Sequence, residues 1–297
     1  MHDNSKSAIL NAMQHVNLET QNILDLLQSL SPDSSKTTLR SWIKDGRVTI
    51  DGEIAKNASI VVQKGQKVEL GARPRFIVGG IKIYYEDRAF IAIEKPAGLL
   101  SVATNFEKGK TAHALLKDHY RPGRVFVVHR IDQDTSGVMV FAFTEEARDA
   151  FKDKFEKHDI ERIYIAIVEG QMTESKGTWQ SLLYEDDNYK VHSTTDPTKG
   201  QIAITHFQVL ATSHRYTALQ LKLETGRKNQ IRVHCQNAGH PIVGDKKYGA
   251  VTNPIKRLAL HACHLALKHP ITKQPLQFTS PIPEEFNKLI SFDYAPK

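Results

Sequence analysis

Between Val125 and Phe143 two apolar runs, VFVV and VMVFAF, enclose nine mostly polar residues, His129 to Gly137. Apolar runs of this kind are expected as strands buried on both faces. A polar segment that leaves one buried strand and returns to another begins and ends inside a domain, so the Asp132 carboxylate lies close to a core. A hairpin accounts for the same letters: Asp134, Thr135, Ser136 and Gly137 supply turn chemistry and Asp132 bonds the backbone. Residue type and spacing leave both readings open.

The order of residues narrows the choice. His129-Arg130-Ile131-Asp132-Gln133-Asp134-Thr135-Ser136-Gly137 closely resembles the catalytic signature of the RluA-type pseudouridine synthases, His-Arg-(Leu/Ile)-Asp-x-x-Thr-Ser-Gly, and the resemblance implies that Asp132 is the nucleophile. Further segments repeat it in order. Lys95-Pro96-Ala97-Gly98 is similar to the family's Lys-Pro-x-Gly turn near the cleft, although Ser101-Val102-Ala103 lacks the proline relatives often carry there. Arg162 to Gly170 resembles (Lys/Arg)-x-Tyr-x-Ala-x-Val-x-Gly, and Thr225 to His234 resembles Thr-Gly-Arg-x-His-Gln-(Ile/Leu)-Arg-Val-His. In the second, Asn229 stands where relatives usually have histidine, so any hydrogen bond of that imidazole is replaced by an amide or lost. With Gly239 to Asp245, Tyr248-Gly249 and RLALHACHLALKHP, the resemblance covers most of residues 81 to 283.

The chemistry so implied breaks the bond from ribose to ring nitrogen, turns the base and rejoins it through carbon. It needs an anionic nucleophile or stabiliser, and neither metal nor redox cofactor is expected. Asp132 is assigned that role, whether it attacks the ring or the sugar or removes a sugar proton to give a glycal. Burial weakens a carboxylate as an anion and a nearby guanidinium restores it, so an Asp132 to Arg232 ion pair is expected in an otherwise apolar cleft. Stacked RNA hides the reacting atoms, so the nucleotide must be flipped out. The resemblance gives Arg130 the vacated space and Tyr164 the stacking and proton-handling role, and it extends the substrate-binding set to His129, Thr135, Arg227, Gln230 and Leu260.

Lys and Arg outnumber Asp and Glu by 40 to 33, a formal charge of +7, which favours a polyanionic partner. Ser34 or Ser35 can cap a helix running to Asp45 and closed by Gly46, with Leu39 and Ile43 on one face. Lys36, Arg40 and Lys44 recur on a neighbouring face and Arg47 follows the cap. With RVTID, SIVVQ and QKVEL this stretch, about residues 18 to 72, resembles the alpha-L RNA-binding motif; a solvated charged face is the structural alternative. Residues 5 to 30 carry helical spacing, with Ile23, Leu27 and Leu30 as a stripe.

His261, Cys263 and His264 are too poorly spaced for zinc, and Cys235 and Cys263 fit no disulfide framework. Lys246, Lys247, Lys256 and Arg257 are candidate phosphate contacts. Without a signal-peptide core or a long apolar run, a cytoplasmic monomer with no membrane partner is expected. The expected fold is α+β: a mixed, antiparallel-rich pseudouridine-synthase catalytic domain with a central cleft over residues 76 to 297, preceded by a small α/β RNA-binding domain over residues 1 to 75. The expected substrate is uridine in structured RNA, ribosomal RNA of the large subunit first and transfer RNA second. A non-catalytic RNA-binding or assembly protein on this fold and a glycosidase using Asp132 and Asp134 are the rivals, opposed by the intact motif set.

Overall fold

The computed structural model describes residues 13–55, 57–71, 75–104 and 110–294. The chain divides into two compact units, Met1–Arg75 and Phe76–Lys297. The first contains β1 (Met13–Val16), β2 (Gln21–Asn22), α1 (Ile23–Leu30), α2 (Lys36–Lys44), β3 (Val48–Ile50), β4 (Glu53–Ile54), β5 (Val61–Val62) and β6 (Lys67–Leu70). Asn22 caps α1 by accepting from Leu24 N at 2.8 Å, and Ser35 caps α2 by accepting from Thr38 N at 3.2 Å. Gly46, at φ 66°, lets the chain turn back after α2. Ile23, Leu26 and Leu27 of α1 pack with Leu39 and Ile43 of α2 over Val48, Val62 and Val68. Each aliphatic side chain buried this way contributes roughly 1.5–3 kcal/mol, which ties the helices to the small sheet.

The helical expectation for residues 5 to 30 is corrected. Residues 5 to 12 lie outside the described residues, β1 pairs antiparallel with β6, and the helix is confined to α1. The reason is Asn17. Its buried amide donates to Val62 O at 3.0 Å and Gln63 O at 3.2 Å, ending the strand and turning the chain before a helix can start.

The second unit is built on a wide sheet. Its elements are β7 (Arg75–Ile77), β8 (Ile81–Glu86), β9 (Phe90–Lys95), α3 (Ala112–His119), β10 (Phe126–Val127), β11 (Ser136–Ala142), α4 (Glu145–Glu156), β12 (Glu161–Glu169), β13 (Lys176–Glu185) and β14 (Val191–Thr194), then β15 (Gln201–Thr212), β16 (Tyr216–Leu223), α5 (Gln230–Asn237), β17 (Leu260–Lys268), β18 (Pro275–Thr279) and α6 (Glu284–Asn287). Among the described residues the strand order is β14-β13-β15-β16-β12-β17-β11-β9-β8-β7, with β10 beside β11 and β18 beside β17. Pairing is antiparallel except between β11 and β17, which touch in parallel at Ser136↔His261 and Gly137↔Ala262. The fold is thus α+β and mostly antiparallel.

Of the two runs that opened the sequence, only one behaves as expected. All seven residues of β11 are buried. VFVV yields the two-residue strand β10, half-buried at the side of β11 rather than covered on both faces. Arg148 of α4 lies over the Phe126 ring at 5.1 Å and covers it with a polar side chain. No helix among the described residues is long and apolar enough to cross a membrane.

Candidate active site

A cleft of about 1390 Å³ opens where β11, β12 and β17 lie side by side, and Asp132, Tyr164, Arg130 and Leu260 all line it. A second groove, of about 760 Å³, runs past Glu161, His206, Lys222 and Glu224. Four of its charged groups are paired, His206 with Glu224 at 3.1 Å and Lys222 with Glu161 at 3.2 Å, and it contains none of the expected site residues.

The loop bearing Asp132 is fastened on both sides of that residue. Ser101 Oγ donates to Ile131 O at 2.6 Å, while Lys95 Nζ donates to Gln133 O at 2.8 Å and also to Leu99 O and Pro96 O. Gly98 N bonds the same Gln133 carbonyl at 2.9 Å. The Lys-Pro-x-Gly segment is therefore more than a turn: its lysine, wholly buried, clasps two loops together. Burial pulls the Lys95 ammonium down to about 7, with Asp134 and Asp132 opposing. Downstream, Gly137 sits at φ 119°, and a Cβ there would meet Ala262 O at 2.2 Å. Only glycine lets β11 start this close to β17.

Sheet register brings in the second motif. Ala262 faces Gly137 on one side and Tyr164 on the other, so Tyr164 stands one strand away from the end of the aspartate loop. Burial pushes its hydroxyl up to about 12, helped by Asp132 and opposed by Arg162, so it is a proton donor at neutral pH. Leu260, buried and opposite Ala166, adds an apolar wall.

The third motif enters on α5. The helix starts at Gln230, directly after Asn229, which adopts φ 54°. Gln230 accepts from Thr225 Oγ1 and Arg227 N and donates to Ile204 O and Thr205 Oγ1, all within 3.0 Å. His234 bonds Thr205 Oγ1 and Ser181 Oγ. Those contacts moor one face of α5 to the sheet and leave Arg232 on the cleft side. Gln230, expected as a substrate contact, lines the cleft and has its amide engaged inside the protein.

Arg232 meets Asp132, but not as its main partner. Its Nε and Nη2 donate to the two oxygens of Asp245, each at 2.7 Å, while Nη1 lies 3.7 Å from Asp132 Oδ2. Nη1 also donates to Asn229 Oδ1 at 3.2 Å, and Asn229 Nδ2 donates to Tyr248 Oη at 3.0 Å. The guanidinium lies 4.8 Å from the centre of the Tyr248 ring. Asn229, in the histidine position of relatives, thus links the arginine to the tyrosine. Asp132 is raised above the usual carboxylate range, mainly by burial; Arg232 and Lys95 pull it down and Asp245 pushes it up. The cleft is corrected from apolar to cationic: Arg130, Arg162, Arg227, Lys228 and Lys247 line it, as a site for a polyanion requires.

The remaining expected residues divide. Arg130 and Arg227 are exposed on the cleft walls. Thr135 is buried there, and its Oγ1 has no hydrogen-bond partner among the described residues. His129 turns inward: its Nε2 accepts from Val140 N at 2.9 Å, its ring stacks on Phe155, and burial lowers it to about 3. Lys36, Arg40 and Lys44 are exposed on α2, whereas Arg47 is half-buried, donating to Gly71 O at 3.1 Å over the Trp42 ring. Arg257 donates to Ser136 Oγ at 2.6 Å and lies over Phe286, so it braces the end of the loop rather than awaiting phosphate. His261, Cys263 and His264 bond Ser136, Ile163 O and Thr279 respectively. No metal-binding group of three or more His, Cys, Asp or Glu occurs among the described residues.

Sequence reasoning missed Lys95 as a side chain, Asp245, Tyr248 and Arg162. Each lay inside a quoted motif, but only the fold shows that Asp245 and Tyr248 close on Arg232.

Comparison with known proteins follows the same lines. A family described as RNA pseudouridylate synthase matches residues 89–237, and the S4 domain matches residues 21–68. A Pseudomonas aeruginosa protein named ribosomal large subunit pseudouridine synthase D is 35% identical over 91% of this chain and 91% of its own length. The protein of that name from Escherichia coli K12 is 33% identical over 91% and 90%. The solved structure of human RNA pseudouridylate synthase domain containing 4 aligns with a TM-score of 0.57 and 23% identity, over 69% of this chain and 90% of that one, a likeness of fold.

Proposed function

Since this chain belongs to the RNA pseudouridylate synthase family and carries an S4 domain, we propose that it isomerises uridine in large-subunit ribosomal RNA, with Asp132 as nucleophile. Asp132 and Tyr164 lining one cleft rimmed by cations, with the Arg232 guanidinium 3.7 Å from Asp132, carries the reading. The choice of RNA follows the names of the relatives and the S4 domain.

In this reading the uridine leaves its stack and enters the cleft, and Arg130 fills the space left behind. Tyr164 stacks on the base, and its hydroxyl, held protonated by burial, moves a proton during isomerisation. Burial raises the Asp132 carboxylate, and Arg232 and Lys95 oppose that shift and favour the anion. It stabilises the C1′ centre, or bonds it until C5 displaces the carboxylate, when the C1′–N1 bond breaks; the base turns, C1′–C5 forms, the C5 proton departs and N1 takes one up. Thr135 Oγ1, buried without a partner among the described residues, is placed to accept or donate one hydrogen bond to the substrate.

The test is to incubate purified protein with unmodified transcripts of large-subunit ribosomal RNA and of transfer RNAs, then map pseudouridine. Product in the ribosomal transcript with wild type and none with Asp132→Asn is expected. Product confined to transfer RNA would overturn the substrate, and product from Asp132→Asn would overturn the nucleophile.

A further inference from the structure

Arg162 is 8% exposed, yet it lines the cleft together with Asp132 and Tyr164. Its Nη2 donates to the Glu224 carbonyl at 3.1 Å, and its Nε meets no acceptor among the described residues. Among the described residues no carboxylate is in ion-pair distance of it, the cleft's Glu156 and Glu185 included, and Glu185 is paired with Lys228; Tyr164 is the neighbour that favours its charge. The guanidinium lies 5.7 Å from the Phe155 ring centre. Room is kept for it: a Cβ on Gly226 would come within 2.5 Å of Arg162 Nη1, so the glycine of Thr225-Gly226-Arg227 is a condition of the arginine's placement.

A guanidinium buried without an anion is costly, and such a group is retained where a ligand brings the missing charge. The other cleft groups do not supply it. Asp132 already has Arg232 and Lys95, and Asp245 is taken up by Arg232. We propose that Arg162 is a phosphate seat: its Nε and Nη groups hold a phosphodiester oxygen next to the uridine that Tyr164 and Asp132 receive. The planar fork matches two oxygens of one phosphate, and RNA brings one phosphate per nucleotide. The proposal rests on the cleft being the uridine site. It adds a binding contact that fixes the ribose relative to Asp132, distinct from the exposed cations of the walls.

The experiment measures equilibrium binding of the full chain, in the Asp132→Asn background so that no turnover intervenes. The probe is an RNA hexamer with one uridine among adenines, carrying a charge-free methylphosphonate on the 5′ or the 3′ side of that uridine. One of the two replacements is expected to weaken binding about tenfold where Arg162 is present. In Arg162→Gln the same replacement should make no difference, and Arg162→Lys should keep part of the effect. Equal binding of both modified hexamers and the unmodified one to protein with Arg162 intact overturns the proposal, whatever the stability of the variants. So does a loss that persists undiminished in Arg162→Gln. Replacing the uridine by cytidine tests the underlying reading separately: unchanged affinity there, with the Arg162 coupling intact, would leave a phosphate seat in a cleft that does not select uridine.

Discussion

Arg232 grips Asp245 through two hydrogen bonds of 2.7 Å and meets Asp132 Oδ2 at 3.7 Å. The closer carboxylate is an anchor, and the farther one is the proposed nucleophile. This division lets the cation sit beside Asp132 without tying up its oxygens in a bidentate pair.

Asp245→Asn should therefore change both the rate and its pH dependence. The Asp245 charge pushes Asp132 up, so its removal lowers the pKa and moves the acid limb of activity to lower pH. Arg232, held less firmly, should drop the plateau by about 100-fold, the scale of a misplacement of about 1 Å. Single-turnover rates between pH 4 and 8 read both effects; an acid limb that stays put would show that the two carboxylates are not coupled.

Asp132 itself is expected to cost stability. Its folded pKa is raised, so the unfolded chain releases that proton at lower pH. Stability falls as pH rises from the unfolded value through the folded one, and the penalty is complete above it. At neutral pH Asp132→Asn should therefore stabilise the protein by about 1 kcal/mol while abolishing turnover. At a pH below both values the two proteins should differ little. Urea titrations at the two pH values check this, and a neutral-pH loss of stability would contradict the burial argument.

Much of this was legible in the letters, and the reasons for the rest are physical. The buried strand β11 follows from its VMVFA run, and the motif order named Asp132 and Tyr164, which line the cleft, and Arg232, which lies 3.7 Å from Asp132. Pattern does not record what lies across a sheet. VFVV looks as buried as VMVFAF, yet β10 has a neighbour on one side only and Arg148 above it. Gln230 and Arg232 sit in one motif, the first expected to contact substrate and the second to pair with Asp132. One faces Ile204 and Thr205 of the sheet, the other faces Asp245, and helical phase alone cannot say which partners wait there. Lys95 reads as a surface cation before a turn; three carbonyls from two loops make it an interior strut.

Lys95→Met tests that strut. The variant keeps the stem's bulk and strips the Pro96, Leu99 and Gln133 carbonyls of a shared donor. At roughly 1 kcal/mol for each lost hydrogen bond, a fall of about 3 kcal/mol in unfolding free energy is expected. Because Gln133 adjoins Asp132, single-turnover activity at a temperature where the variant is still folded should fall as well. A melting curve matching wild type would return Lys95 to the role of a simple turn residue.

The S4 unit offers a prediction in a different currency, salt. Lys36, Arg40 and Lys44 are exposed on successive turns of α2, with Leu39 and Ile43 on the neighbouring face held in the core. If these cations meet phosphates, each contact releases about 0.9 counterion on duplex-like RNA. Changing all three to Ala should then reduce the slope of log affinity against log salt by about 2.7, weaken binding most at low salt, and leave the single-turnover rate at saturating RNA unchanged. Arg47→Ala should behave otherwise: it breaks the bond to Gly71 O and the packing over Trp42, so its effect should appear as a loss of about 1 kcal/mol in stability. Binding isotherms at several salt concentrations separate the two classes, and a triple variant whose slope equals that of wild type would make α2 a solvated face with no part in holding RNA.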